Sequence, residues 1–561
     1  MNNLKSTIMK IKRKYIVAQN HKFLLIIVIL VLILFFRFTN LEKKVYWGDE
    51  TYTSLRIAGY KWAEYSQIFD GKEYTIEDIQ KYQRLTPEKD LFDTIDSLAV
   101  EDPHHPPLYY VLGRFWGQWF GDSVAARRSL PALISLLAFP STYWLCLELF
   151  QSSLTGWVAI ALIAVSPFHL LYAQEMREFS LWTVTILLSS AALLRAMRQQ
   201  TKFSWGIYSV TLALSFYTFL FSVLVAIGHG IYVLAVERFQ SSKKILNYLL
   251  ASVGGLILFF PWIFIVISNL SQIQATNSDK IDRVPLLYLI KTWALNMTHV
   301  FVDLQFGYRD PFDVQFGYNN PVTYFIIPTL ILIGYAIYFL CCQTSKQVWL
   351  FILTLIGMTA LALMLPDVVI GGTRSINARY LTPSYLGIEL AVAYLLAHKI
   401  FAISLKKQQQ KLWQIIAVVL ISCSVISCVL ISHADTWWTK YTDYYAARLG
   451  YFINQAERPL VVIDNPWRVL PLSYSLDPQV RVQVAFDSEN LPEISGKFSD
   501  IFVYNSYGGR SQKFRESFEK VHRSQLDLVY KAELTFKGRE ISLWKLRKTT
   551  GNPTPSQITS P

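Results

Sequence analysis

Four short stretches of this chain hold ionisable side chains in patterns that could do chemistry. In residues 45–56 (VYWGDETYTSLR) the adjacent carboxylates Asp49 and Glu50 stand against Tyr46, Trp47 and Tyr52. A partly desolvated carboxylate is more basic than one in bulk water, so either acid suits general-base work on an acceptor hydroxyl or amine. The plainer alternative is two ordinary loop acids beside an aromatic belt. In residues 101–130, His104 and His105 precede Pro106 and Pro107. The prolines forbid a helix before Leu108, after which an amphipathic aromatic helix can lie in a membrane interface. Neighbouring side chains on an extended chain point to opposite sides, so the two histidines are expected to steady a turn or to hydrogen-bond rather than to share a metal.

The third stretch, residues 166–182 (SPFHLLYAQEMREFSLW), crowds His169, Gln174, Glu175, Arg177 and Glu178 between two apolar runs. Ionisable groups bordering hydrocarbon are costly and mark functional sites by default; a Glu–Arg pair capping a helical hairpin is the alternative. The fourth, residues 366–385 (PDVVIGGTRSINARYLTPSY), brings Arg374, Arg379 and Tyr380 behind Gly371 and Gly372. Glycines let the backbone approach a ligand, and a guanidinium is shaped for bidentate recognition of phosphate, here a lipid phosphate at a bilayer edge. Anchoring to ordinary lipid headgroups is the competing reading.

These stretches lie between apolar runs. The 561 residues are 52% hydrophobic, 15% aromatic and only 17% charged, with mean hydropathy +0.29. Soluble chains carry about 25% charged residues, so a water-soluble enzyme is excluded. The five cysteines fall in apolar runs without ligand spacing, which supports neither a disulfide framework nor a zinc module. With roughly 20 apolar residues per span, the sequence predicts a polytopic α-helical membrane protein of eleven spans: about 23–40, 129–150, 154–172, 179–198, 205–219, 220–236, 246–268, 323–342, 347–365, 382–400 and 412–432, with a turn near 215–222. The first span has no small-residue cleavage site after it and reads as a retained signal anchor.

Placing the N-terminus in the cytoplasm puts 17 basic residues against two acidic ones, Glu148 and Glu237, on the inner side. That accounts for the +13 net charge without nucleic acid. Four long-range expectations follow. Residues 1–432 form a membrane module with a large first outer loop, 41–128. Residues 433–548 form an outer α/β domain, with strands at 459–464, 480–486, 500–507 and 541–547 and a helix near 511–523. Trp437 and Trp438 anchor the interface, and residues 549–561, rich in Pro, Ser and Thr, are disordered.

The pieces DETYTSLR, HPPLYYVLGRFWGQWFG, SPFHLLYAQEMREFSLW and ARYLTPSY, in this order, resemble the dolichyl-phosphate-mannose protein mannosyltransferase family and its bacterial relatives, which include the lipid A aminoarabinose transferases. The resemblance spans residues 45 to about 390 and does not reach the tail. It implies the glycosyltransferase C fold and an inverting membrane enzyme. Such an enzyme takes its sugar from a polyprenyl-phosphate donor on the outer face of a bacterial inner membrane, for a lipid, glycan or protein acceptor. By the family pattern Asp49 is the catalytic base, with Glu50 beside it, and Arg379 holds the donor phosphate, with Arg374 and Tyr380 as further candidates. His105, Glu175 and Arg177 are candidates for acceptor or sugar binding, although QEMRE departs from the acidic motif of the protein mannosyltransferases. Neither cofactor nor metal is implied.

A transporter is the rival class, since many spans and membrane-edge charges also describe a substrate pathway. Against it stand the lack of an internal repeat, the long first loop and an expected lack of charge deep in spans five to eleven. A surface-glycan polymerase or ligase shares the lipid-phosphate logic and differs in its acceptor.

Overall fold

The computed structural model describes residues 28–271, 283–304, 321–401, 406–485, 491, 493–494, 496–505, 508–534 and 539–547. The terminal stretch 549–561 lies outside them. The chain divides into two compact units. One takes the chain up to Glu42, from Ile95 and on to Ala434; the other joins Lys43–Thr94 to the chain from Asp435.

The first unit is helical and multi-pass. Among the described residues seven helices are long and apolar enough to cross a membrane: Val124–Phe150, Phe179–Gln199, Lys243–Ser268, Thr323–Gln343, Lys346–Val369, Ala378–Phe401 and Lys407–His433. Ser153–Val165 and Pro167–Ala173, bent by 62° at Ser166, make an eighth if taken as one span. The other three of the eleven expected spans fall on shorter helices, Val28–Phe38, Lys202–Thr218 and Ser222–Val236. The turn between the last two lies where the sequence put it. Ser215 donates to Ser222 at 2.9 Å and Trp182 Nε1 donates to the same hydroxyl at 2.9 Å, so a polar turn is satisfied among apolar neighbours.

Two helices are enclosed on nearly all sides, Phe179–Gln199 and Thr382–Phe401. A helix enclosed on nearly all sides is a core helix. Lys243–Ser268, Thr323–Gln343 and Lys346–Val369 keep most of their apolar surface exposed, as lipid-facing helices do. The expected absence of charge deep in spans five to eleven is wrong at one position. Glu389, fully buried in the tenth, takes a 2.8 Å contact from His169 Nε2 in the third. An isolated charge there would be prohibitive, and the His–Glu pair satisfies it.

The second unit is an α/β domain around a six-stranded sheet: β1 (Glu73–Thr75), β2 (Pro459–Ile463), β3 (Arg481–Val484), β4 (Asp500–Asn505), β5 (Leu526–Leu534) and β6 (Arg539–Leu546). Their order across the sheet is β1-β3-β2-β4-β6-β5. β2 runs parallel to β3 and β4, and the other pairs are antiparallel. Every residue of β2 is buried because alternate side chains enter different cores. Leu460 and Val462 pack with Phe514 and Phe518 of the helix Gly508–His522. Val461 and Ile463 pack with Val45, Trp47, Leu55, Tyr65 and Ile79.

That second core alters the domain boundary drawn from sequence. The first half of the long loop 41–128 is part of the α/β unit: Tyr74 of β1 pairs with Val482 of β3, and the apolar side chains of 43–94 cover one face of the sheet. Without them that face would meet water. The four strands and the helix read from the tail are present, and two strands were not read. β1 has only three residues, and the alternation of β5 is broken by a bulge at Leu528 and Tyr530. Trp437 is 4% exposed.

Candidate active site

In the helical unit, the Ser166–Pro167 break redirects the chain so that the short helix Pro167–Ala173 ends at Gln174, and residues 174–178 form a loop before Phe179 opens the next helix. Proline at the first helical turn loses no hydrogen bond. The Gln174 amide donates to the carbonyls of Phe36 at 2.8 Å and Thr39 at 3.0 Å, pinning the loop to the end of the first helix. A tight turn, Arg177 N–H to Glu175 carbonyl at 2.6 Å, then brings Arg177 and Glu178 together. Arg177 Nη2 donates to Glu178 Oε1 at 3.1 Å, and His105 Nδ1 lies 3.2 Å from the same oxygen. Burial alone would push the Glu178 carboxyl up, but Arg177 and His105 outweigh it and hold it down, to about 2. Glu175 is buried completely in the same loop.

Phe179 is where two sequence-distant arginines meet. The Arg177 guanidinium carbon is 5.8 Å from its ring centroid and that of Arg379 is 5.3 Å from it. Arg379 also lies over Tyr380 at 5.4 Å. Tyr380 stacks on Phe219 at 6.0 Å and meets Phe221 edge-on at 5.2 Å, both from the serine-closed turn, and Phe219 touches Phe179 at 5.6 Å. Two guanidiniums thus lie against one aromatic wall, an arrangement that holds them by cation–π attraction. Arg177, Arg379, Tyr380 and His105 belong to this one cluster. Arg374 does not. It pairs with Asp367 at 3.4 Å, whose other oxygen accepts from the Ser375 N–H and hydroxyl at 2.7 Å each. Gly371 and Gly372 have φ of 100° and 132°, and a Cβ on Gly371 would lie 2.8 Å from Arg283 Cγ, so these glycines serve the turn and a close side-chain approach. The histidines depart from expectation too: residues 103–105 turn rather than extend, and the two rings lie 4.3 Å apart.

Asp49 and Glu50 occupy the first turn of the helix Gly48–Ile57 in the α/β unit. Their surroundings differ sharply. Glu50 is completely buried and accepts from Lys440 Nζ at 2.9 Å, itself 2% exposed and over the Trp47 ring at 5.5 Å. Asp49 is half-buried. The Gly48 N–H donates to Asp443 Oδ2 at 2.8 Å, and Asp443 pairs with Arg468 at 3.3 Å. The helix start is therefore held by residues from beyond the last span. Among the described residues no group of three His, Cys, Asp or Glu side chains could hold a metal.

Residues 104–265 match the dolichyl-phosphate-mannose-protein mannosyltransferase family. Over that stretch, less than a third of the chain, the sequence is similar to that family. The structure also matches that of ArnT from Cupriavidus metallidurans bound to undecaprenyl phosphate, with a TM-score of 0.52 at 11% identity over 94% of this chain and 99% of that one. The apo ArnT structure matches at 0.51 and 11% identity over 93% and 97%. No curated protein is significantly similar to the chain in sequence. The fold is accordingly that of ArnT. The family match covers His105, Glu175 and Arg177; Asp49, Arg379 and Tyr380 lie outside it.

Relative to the mannosyltransferase motifs, sequence reading missed Lys440, Asp443 and the role of Phe179. Lys440 and Asp443 follow the last span in TKYTDYY, where a lysine and an aspartate read as ordinary outer-loop charges. Phe179 had a signal: a phenylalanine directly after the REF loop charges.

Proposed function

We propose that this protein transfers a hexosyl or pentosyl group from a polyprenyl-phosphate donor to a lipid, glycan or protein acceptor on the extracytoplasmic face of a cell inner membrane, with inversion. The observation that carries the reading is the convergence of Arg177 and Arg379 on Phe179, at the beginnings of the two most enclosed helices. Guanidiniums against an aromatic wall suit a phosphate attached to an isoprenoid chain, with charge and fork geometry for the phosphate and apolar surface for the lipid. ArnT, whose fold this chain shares, binds undecaprenyl phosphate.

In this reading Asp49 takes the proton from the acceptor hydroxyl or amine as that group attacks the anomeric carbon. The bond from that carbon to the phosphate oxygen breaks, and its electron pair leaves on the polyprenyl phosphate. Arg177 and Arg379 stabilise the charge that develops there. A single displacement inverts the anomeric centre. His105 and Arg177 hold Glu178 ionised, which keeps the Arg177 guanidinium in place. The test is incubation of the purified protein with a radiolabelled polyprenyl-phosphate sugar and a cell-envelope fraction. Label moving from the polyprenyl lipid to an envelope molecule supports the reading, and label that stays on the lipid in the presence of every envelope fraction contradicts it.

A further inference from the structure

The two arginines stand on separate elements of the helical unit, and one buried contact joins those elements. Arg177 follows the short helix Pro167–Ala173, and Arg379 sits in the turn Ala378–Leu381 that opens the helix Thr382–Phe401. The Thr382 hydroxyl donates to the Arg379 carbonyl at 2.7 Å, which joins turn to helix. His169 lies on the short helix, ahead of Arg177 in the chain, and Glu389 lies on the long one, beyond Arg379. His169 Nε2 reaches Glu389 Oε2 at 2.8 Å, with both side chains buried. A carboxylate only accepts, so Nε2 carries the proton. Rings flank the same junction. Phe168 meets Tyr385, a helical turn before Glu389, at 5.0 Å. Tyr172 meets Phe168 at 4.9 Å and Phe179, the ring shared by both arginines, at 5.4 Å. The start of the short helix is fixed as well. Pro167 has no N–H, so the Ile163 carbonyl loses its ordinary helical donor, and Arg37 Nη2 donates to it at 3.2 Å. Cys428 Sγ donates to the Val165 carbonyl at 3.1 Å, and the Ser166 hydroxyl donates to that of Val300 at 2.7 Å.

Apolar side chains would hold the two helices together without desolvating any charge, and replacing a buried ion pair by them is often neutral or stabilising. Cohesion alone therefore does not account for a carboxylate and an imidazole at this junction. A hydrogen bond adds direction, and fixes how far one element slides along the other. Two arginines share one phosphate only at a set spacing, and an error of about 1 Å in such placement costs on the order of 10²-fold. We propose that His169 and Glu389 are positioning residues for the donor site, holding the Arg177 loop and the Arg379 turn at the spacing that a polyprenyl phosphate requires. This rests on the reading of the two arginines as the phosphate site.

The test measures equilibrium binding of undecaprenyl phosphate to the full-length protein in detergent, with thermal unfolding of each variant alongside. Glu389→Gln keeps an oxygen that accepts from His169 and should bind nearly as wild type does. His169→Leu with Glu389→Met removes the bond, keeps the volume and leaves no buried charge of the pair unpartnered, so melting should change little. Its donor affinity should nevertheless fall about tenfold. Glu389→Ala, which leaves a neutral imidazole, is the second variant without the bond and should lose affinity to the same extent. In transfer assays both should raise the donor KM and leave the acceptor KM constant. With Arg177→Ala and Arg379→Ala already in place, breaking the bond should cost no further affinity, because no spacing remains to be set. His229, bonded to Ser190 at 3.1 Å and to Tyr208 at 3.3 Å, is a buried histidine joining other helices of the unit. His229→Leu should lower the melting temperature and leave donor affinity unchanged. Wild-type affinity in both variants lacking the bond, while Arg379→Ala binds weakly, overturns the positioning role and leaves the phosphate site standing. An equal loss in His229→Leu, or a further loss in the doubly arginine-free background, also overturns it, since general loosening would then suffice. Wild-type affinity in Arg177→Ala and Arg379→Ala removes the phosphate site, and the positioning role with it.

Discussion

The two units use the same residue types in opposite ways. In the α/β unit Glu50 and Lys440 meet at 2.9 Å with almost no exposure, one carboxylate matched by one ammonium and closed off by Trp47. In the helical unit Arg379 is half-buried, lies over Phe179 and Tyr380, and shares the first ring with Arg177. A sealed pair has its electrostatic needs met internally and can only hold structure. A guanidinium lying over aromatic rings is held there by cation–π attraction.

Separating the two neighbours in the DE pair gives the largest expected effect. Asp49→Asn should cut turnover by about 10² to 10⁴, the usual contribution of a general base, with the melting temperature and donor binding nearly unchanged. Steady-state transfer assays read this, and near wild-type turnover would remove Asp49 from the mechanism. Lys440→Ala should do the reverse. It strands a buried carboxylate, a loss of about 3 to 5 kcal/mol, so thermal unfolding should shift steeply downward. Glu50→Gln with Lys440→Met should recover much of the loss, since neither group is then charged.

A smaller effect concerns pH and Glu178. Its carboxyl is held down to about 2, so the stability it adds is fully present above the ordinary carboxylate pKa of about 4.3. That stability disappears only as pH falls towards 2. The difference in melting temperature between wild type and Glu178→Gln should shrink as pH falls below about 4. A difference that persists unchanged down to pH 2 would mean that the Glu178 charge does not hold the loop. The smallest effect belongs to Arg374. Its pair with Asp367 is partly exposed, and such pairs contribute about 0 to 1 kcal/mol. Arg374→Gln should shift melting slightly and leave donor affinity alone, as read by equilibrium lipid binding.

Much of this was legible from the chain. The apolar runs marked the helices, alternation in the tail marked four of six strands, and the four motifs contained every residue now found around Phe179 except Phe219 and Phe221. What was not legible came from long-range pairing. Glu50 sits beside Asp49 in sequence, and only Lys440, 390 positions away, shows that one is structural. Glu389 hid in an apolar run because its partner His169 lies 220 residues earlier. β1 is too short to carry a periodic signal, and only its pairing with β3 shows that 43–94 belongs with the sheet. At the histidines the premise of an extended chain gave way to a turn, while the expected hydrogen-bonding role fits His105, 3.2 Å from Glu178.

The central claim, that Arg177 and Arg379 together hold a polyprenyl phosphate, is tested most directly by equilibrium binding of undecaprenyl phosphate to wild type, Arg177→Ala, Arg379→Ala and Arg379→Lys. Charge-assisted hydrogen bonds contribute roughly 1.5 to 3 kcal/mol each. Each alanine variant should therefore bind tenfold or more weakly, with the lysine variant between wild type and alanine because it keeps the charge and loses the fork. Unchanged affinity in Arg379→Ala and Arg379→Lys would contradict the account and leave that arginine a headgroup anchor.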